Sequence, residues 1–209
     1  MKKMMLLGAL LVCAAAVGNA QESRQDVSGS LFGVFGIDIH GVGDVQQQPI
    51  GGAGGLISYR YSVTTRSALE VNYSIVQSSI KYFNPDFNQR GANGTQVAEY
   101  VHDRQQEITG AYVYSRNYRN FNPFVEIGVG GMIFTPIRDY KTEVLSTKQN
   151  TNIGALGGAG LAYEISPSFD IRAEYRGFLL KSPDFGYASF KTNKYEWLSL
   201  PAIGIAYHF

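Results

Sequence analysis

The chain has 209 residues, with 24 Gly, 14 Tyr and 12 Phe, and its 18 Lys and Arg nearly balance 17 Asp and Glu for a formal charge of +1. Such balance excludes the broad basic field that a nucleic-acid partner requires, and 44% hydrophobic residues exclude a disordered chain. Beyond the N-terminus no apolar run approaches the roughly 20 residues of a membrane-spanning helix, so any membrane crossing is made by strands.

Met1-Lys2-Lys3 supplies a cationic start, Met4 to Val17 is almost unbroken apolar sequence, and Gly18-Asn19-Ala20 offers small residues for a peptidase. Residues 1–20 therefore read as a cleaved signal peptide, leaving residues 21–209 as one domain. Cys13 is the only cysteine. It leaves with the signal, so disulfides, thiolate metal sites and a cysteine nucleophile are excluded from the mature domain.

From Val27 onward the apolar residues recur every second position, the period of a strand, and no long segment has helical spacing. Strands are expected at Val27 to Asp38, Gly52 to Tyr61, Ala68 to Ser78, His102 to Ser115, Pro123 to Phe134, Asn152 to Ile165, Asp170 to Leu180 and Tyr195 to Phe209. The fold class is all-β. Most of these segments exceed the roughly 9 to 11 residues that cross a bilayer when tilted. Connections alternate in length: Ser62 to Ser67, Arg116 to Asn122 and Ser166 to Phe169 are short, whereas Ile39 to Gly51, Ser79 to Val101, Thr135 to Thr151 and Lys181 to Lys194 are long and polar. Eight strands with that alternation describe an antiparallel up-and-down transmembrane β-barrel.

Alternation alone does not separate a membrane barrel from a soluble carrier, which would turn its apolar half inward. Residue size separates them. One parity is bulky: Val125, Ile127, Val129 and Ile133, then Ile203, Ile205, Tyr207 and Phe209. The other parity is small or charged: Glu126, Gly128 and Gly130, then Gly158, Gly160, Ala162 and Glu164, then Ala202, Gly204, Ala206 and His208. A narrow lumen takes the small set and lipid the bulky one. Tyr59, Tyr61, Tyr73, Tyr114, Tyr163, Tyr175 and Tyr207 are expected near the turn ends as an interfacial girdle. Arg60, Arg172 and Arg176 share the inward parity with Glu70, Glu107, Glu126, Glu164 and Glu174. Unpaired charges there would cost several kcal/mol each, so these eight are expected to pair into a network that plugs the lumen.

The terminal run Ile203-Gly204-Ile205-Ala206-Tyr207-His208-Phe209 resembles the C-terminal assembly signal of bacterial outer-membrane barrels, with Gly204, Tyr207 and Phe209 matching its pattern and Ala202 departing from the polar residue often found at its head. Tyr59-Arg60-Tyr61-Ser62, Ala68-Leu69-Glu70 and Asn122-Pro123-Phe124-Val125 also resemble the small eight-stranded barrels of the OmpA/OmpX type, grouped with outer membrane protein beta-barrel domain sequences. That resemblance implies residence in the outer membrane of a Gram-negative cell, contact with outer-membrane lipid and with the barrel-assembly machinery during biogenesis, termini on the periplasmic side and four loops outside. It specifies a fold, not a reaction.

No cofactor is indicated. His40, His102 and His208 lack the spacing of a zinc site, and the glycine clusters at 51–55 and 157–160 lack the Gly-Lys-Ser/Thr of a phosphate-binding loop. A hydrolytic set of His102 and Asp103 with Ser78, Ser79 or Ser182 is conceivable at the outer rim, as some small outer-membrane barrels modify lipids. The reading favoured is non-enzymatic, a structural or surface-interaction role with a filled lumen. Tyr82, Phe83, Phe87, Tyr140, Phe185, Tyr187 and Phe190 would either bind an extracellular ligand or pack the loops. A lipid-modifying enzyme, a narrow small-solute channel and a periplasmic carrier are the alternatives. Deleting Phe209 is expected to leave secretion intact while lowering the amount of heat-modifiable, folded protein in the membrane, as a gel-shift assay on fractionated cells would show.

Overall fold

The computed structural model describes residues 24–41, 45–83, 98–138, 147–187 and 190–209. The signal segment 1–20, Phe87 and Tyr140 lie outside them. The strands are β1 (Gln25–Gly36), β2 (Ile39–His40), β3 (Gln46–Ile50), β4 (Gly52–Ser62), β5 (Ser67–Phe83), β6 (Ala98–Ser115), β7 (Phe121–Pro136), β8 (Asn150–Ser166), β9 (Phe169–Lys181) and β10 (Tyr195–His208). All but β2 and β3 form an antiparallel ring of eight in chain order, closed where β1 pairs with β10. A closed ring leaves no edge, which is what a strand protein needs in lipid.

The ring strands begin and end within two residues of where alternation places them, except at the long-loop ends of β5 and β6, which run on to Phe83 and back to Ala98. The expected loop Ile39 to Gly51 is also partly strand. β3 continues the β4 side of β5, from Gln46↔Phe83 to Ile50↔Ser79, and β2 pairs back on β3. Between Ile50↔Ser79 and Gly54↔Val76 the β3–β4 side advances four residues while β5 advances three, a bulge at Gly51-Gly52. Four Gln and Pro residues in Gln46–Ile50 hide the strand from a polarity reading, although the neighbouring ladder supplies its hydrogen bonds.

The β1–β10 ladder has one gap. Phe32 pairs with Ala202 and Phe35 with Ser199, while Gly33 and Val34 have no partners opposite Pro201 and Leu200. Pro201 has no N–H to donate, which accounts for the interruption.

Outside, the ring is apolar: Leu31, Ile127 and Ile153 are 74%, 69% and 81% exposed, in company with Val71, Val129, Leu161, Ile203 and Ile205. So large an apolar surface calls for lipid. Tyr59, Tyr61, Tyr114, Tyr163 and Tyr207 lie near the short-turn end as expected, with Phe121 on Tyr163 and Phe169 on Tyr207 at 5.0 and 5.1 Å. Tyr73 and Tyr175 do not. They stand six or more residues beyond their turns, toward the other face of the membrane, where Gln106 donates to the Tyr73 hydroxyl and Ser199 meets that of Tyr175.

Along β5 the polarity inverts. Through the membrane Leu69, Val71, Tyr73 and Ile75 face out while Glu70, Asn72 and Ser74 face in; beyond Val76, Gln77 and Lys81 face out while Ile80 and Tyr82 face in. β6 follows suit, Arg104 and Gln106 standing outward and Val101 inward. The strands thus leave hydrocarbon near Gln77↔Arg104 and continue as a water-facing dome with an apolar filling. Arg at Ile127 is expected to cost about 2 to 4 kcal/mol of barrel stability in lipid. Valine at Gly128, whose Cβ would press on the Gly110 carbonyl and lie 2.8 Å from the Ala111 Cα, is expected to block folding. Lipid-phase quenchers should reach a probe at 127 and not at 128.

Candidate functional site

The inward alternation brings charge to one end of the lumen and apolar bulk to the other. On β4 and β5, Arg60 and Glu70 are register partners, and a guanidinium nitrogen stands 2.6 Å from Glu70 Oε2. Arg172 on β9 reaches across β10 to Asp26 at 3.1 Å, donates to Ser28 Oγ at 3.4 Å and stands 3.9 Å from Glu70. Arg176, two pleat repeats further along β9, crosses the lumen to Glu107 on β6 at 2.6 Å and to Glu126 on β7 at 3.3 Å. Ser74 and Thr109 donate to the same Glu107 carboxylate, so its lone pairs are nearly filled. Phe124 lies between two guanidiniums, 4.7 Å from Arg60 and 5.8 Å from Arg172. Gly160 makes that possible, because a Cβ there would enter the Phe124 ring.

Six of the eight expected network residues are therefore assembled: Arg60, Glu70, Glu107, Glu126, Arg172 and Arg176. Glu164 and Glu174 are on the expected parity but only half-buried, and among the described residues neither forms an ion pair. Glu164 sits at the β-bulge beside the last short turn, where its register partner is another acid, Asp170. Asp26 completes the network and was legible from its parity with Ser28 and Ser30, one step from outward Val27. Below it, His208 and Asp170 meet at 2.8 Å in the wall of a cavity of about 620 Å³ at the short-turn end, which Arg24, Arg60 and Arg172 also line.

At the long-loop end the filling is apolar: Phe32, Leu56, Met132, Phe134, Phe178 and Leu200 are all 5% exposed or less. The segment after β9 closes over them. Phe190 stacks on Tyr82 at 4.2 Å, Phe185 meets the same ring edge-on at 6.4 Å, and the Tyr82 hydroxyl donates to the Pro183 carbonyl at 2.9 Å. Burial holds the Tyr82 hydroxyl protonated well above its usual range, assisted by the charges of Glu196, Asp103 and Asp184. Of the loop aromatics, Tyr82, Phe185 and Phe190 are fully buried and Tyr187 packs against them, so these pack the dome rather than offer a ligand surface. Phe83 is half-buried under Lys81 Nζ.

The conceivable hydrolytic set is divided by the pleat. Ser78 donates to inward Asp103 at 3.1 Å, whereas His102 and its register partner Ser79 lie on the opposite face, and Ser182 donates to Gln47. No serine, histidine and acid of that set come together. Among the described residues no group of three or more His, Cys, Asp or Glu is arranged to hold a metal ion.

The end of the chain is built into the closing seam. Tyr207 pairs with Val27 and stacks near Phe209 at 5.9 Å, Phe209 N–H donates to the Gln25 carbonyl at 3.0 Å, and a Cβ on Gly204 would strike Ser30.

An eight-strand ring, apolar outside and ion-paired inside, with short turns at one end and long loops at the other, is a transmembrane β-barrel of the outer-membrane kind. Residues 4–209 match the model of the outer membrane protein beta-barrel domain, and the chain belongs to that family and to the outer membrane. Its fold is similar to that of OprG from Pseudomonas aeruginosa, at 13% identity and TM-score 0.62 over 91% of this chain and 98% of that one. Neisserial surface protein A shares 15% identity at TM-score 0.58 over 90% and 98%, and AlkL, solved in DMPC bilayers, 17% at 0.54 over 93% and 94%. No curated protein matches the chain.

Replacing Arg60 with Ala leaves Glu70 with only the distant Arg172, and loss of one partner of a buried pair costs about 3 to 5 kcal/mol. The single variant is expected to unfold at lower urea than the wild type. The Arg60→Ala/Glu70→Ala double variant should recover part of the loss, as gel-shift unfolding titrations would measure.

Proposed function

We propose that this protein is a closed outer-membrane barrel with a structural or surface-interaction role and no bond-breaking chemistry. One observation carries the reading: the lumen is obstructed in two separate layers. The ion-paired layer fills it within the membrane, and the apolar layer under Tyr82, Phe185 and Phe190 fills it above. A general-diffusion pore needs a continuous water column, which neither layer provides. The β3–β5–β6 wall, which outruns the membrane by several residues on each strand, supplies the surface through which an extracellular partner would be met. The division of His102 from Asp103 by the pleat supports the non-enzymatic part.

Purified protein in planar bilayers is expected to show no porin-sized conductance steps, whereas Arg60→Ala, which opens the ion-paired layer, gives at most small ones. Steady wild-type conductance at the level of a general porin would overturn the closed-lumen reading. The lipid A mass spectrum should be the same with and without the protein, and a new acylation or deacylation product would overturn the non-enzymatic one.

A further inference from the structure

At the short-turn end every exposed charged side chain among the described residues is an arginine. Arg24, Arg66, Arg116 and Arg119 stand in solvent there. The acids of that end do not offset them: Asp26, Glu70 and Asp170 are buried and paired with Arg172, Arg60 and His208, and Glu164 is half-buried on the inward parity. Among the described residues none of the four exposed arginines has a carboxylate partner. Arg24 lines the cavity at the lumen mouth, whereas Arg66, Arg116 and Arg119 do not.

These three sit on neighbouring turns. The carbonyl of Arg66, in the β4–β5 turn, accepts the Ser115 N–H at 2.8 Å, so Arg66 stands beside the residue that precedes Arg116. Arg116 continues the outward parity of Tyr112 and Tyr114 past the end of β6, and its guanidinium lies 5.2 Å from the centre of the Tyr118 ring. Arg119 is at the tip of the β6–β7 turn, where Tyr118 and Phe121 donate to each other's carbonyls at 2.8 and 3.0 Å. Its φ of 56° is one that glycine normally takes in so tight a hairpin turn, so arginine is held there against backbone preference.

The surrounding rings fix the depth of the patch. Tyr61, Tyr114, Tyr118 and Phe121 are exposed beside the arginines and mark the edge of the hydrocarbon. Arg116 is two residues beyond Tyr114, about 7 Å along an extended chain, and the turns run little further. Guanidiniums so placed lie in the layer of lipid phosphates and do not reach an object well clear of the membrane. The other half of the rim differs, because the β8–β9 turn Ser166-Pro167-Ser168 and the end of β10 carry no Lys or Arg. A guanidinium fork matches phosphate oxygens bidentately, and a cationic patch without exposed acids favours a headgroup that brings no ammonium of its own.

We propose that Arg66, Arg116 and Arg119 form a docking patch for the phosphate of an anionic phospholipid in the leaflet at the short-turn end. The patch holds the barrel at a set depth through one side of its rim. It rests on the placement of the barrel in the outer membrane and not on whether the lumen conducts.

The test uses the full mature barrel refolded into bilayers at low salt. Trp197, the sole tryptophan, is replaced by Phe, so that one reporter at a time reads its adjoining lipid through quenching by brominated acyl chains. Tyr114→Trp reports beside the patch, and Phe169→Trp reports from β9, three strands away at the same end. At Tyr114→Trp, phosphatidylglycerol is expected to bind about fivefold more tightly than phosphatidylcholine, the effect of one cation near an anionic surface, and less so as salt is raised. The preference should vanish in Arg66→Gln/Arg116→Gln/Arg119→Gln and be absent at Phe169→Trp. Gel shift checks the folding of each variant, and where the triple variant does not fold, the contrast between the two reporters decides. Equal binding of the two lipids at Tyr114→Trp, an equal preference at Phe169→Trp, or a preference that survives loss of all three arginines would each overturn the patch. Binding of peptidoglycan sacculi that the triple variant loses, with no lipid preference, would overturn it in favour of a wall polymer.

Discussion

A backbone in hydrocarbon has no water to satisfy its N–H and C=O groups, and nearly everything in this molecule follows from that requirement. It forces the sheet to close, and closure at eight strands leaves a lumen only wide enough for side chains. The narrowness in turn decides composition. Gly158 and Gly160 stand where a Cβ would collide with Glu126 and Phe124, so the glycine clusters that resemble flexible sequence are the means by which large inward groups fit. Pro201 shows what the requirement tolerates: one interruption of the ladder, bounded on both sides by intact pairs.

The same strands obey opposite rules at their two ends. Within the membrane the solvent outside is apolar, so Leu69 and Val71 face it and Glu70 and Asn72 turn in, where ion pairing offsets the loss of hydration. Above the membrane the solvent is water, so Gln77 and Lys81 face it and Ile80 and Tyr82 turn in, as in any soluble core. The barrel is therefore two solvent regimes on one continuous ladder. β5 and β6, of 17 and 18 residues, cross both.

That inversion explains which parts of the fold were legible in the sequence. Strand positions, the parity of Ile127 against Gly128, and the grouping of Arg60, Glu70, Glu107, Glu126, Arg172 and Arg176 follow from a strict period of two. The period does not change at the membrane surface, but the meaning of each parity does, and nothing local announces the change. Asp103 and Glu196 share the inward parity of Glu107 and Ala202 and lie inside the expected strands His102 to Ser115 and Tyr195 to Phe209, yet each stands near the long-loop end of its strand, away from the lumen charges that parity groups together. Gln46–Ile50 was hidden for a related reason: its pairing comes from the overhang of β5, not from its own propensity. Glu174 erred the other way, because parity fixes the direction of a side chain and not its reach.

The two buried acid sets differ in a way that bears on how the barrel is sealed. Glu107 is surrounded by Arg176, Ser74 and Thr109, so its charge is answered wholly from within the chain, and the layer it belongs to is complete once the strands have paired. Asp103 and Glu196 each retain an oxygen with no answer from the described residues. A layer satisfied by its own arginines is complete within the chain, whereas a buried acid with an unanswered oxygen favours its protonated form. The first stands within the membrane and the second toward the long-loop end. The complete set thus lies where hydrocarbon surrounds the barrel, and the incomplete one beneath the loops, where the wall faces water.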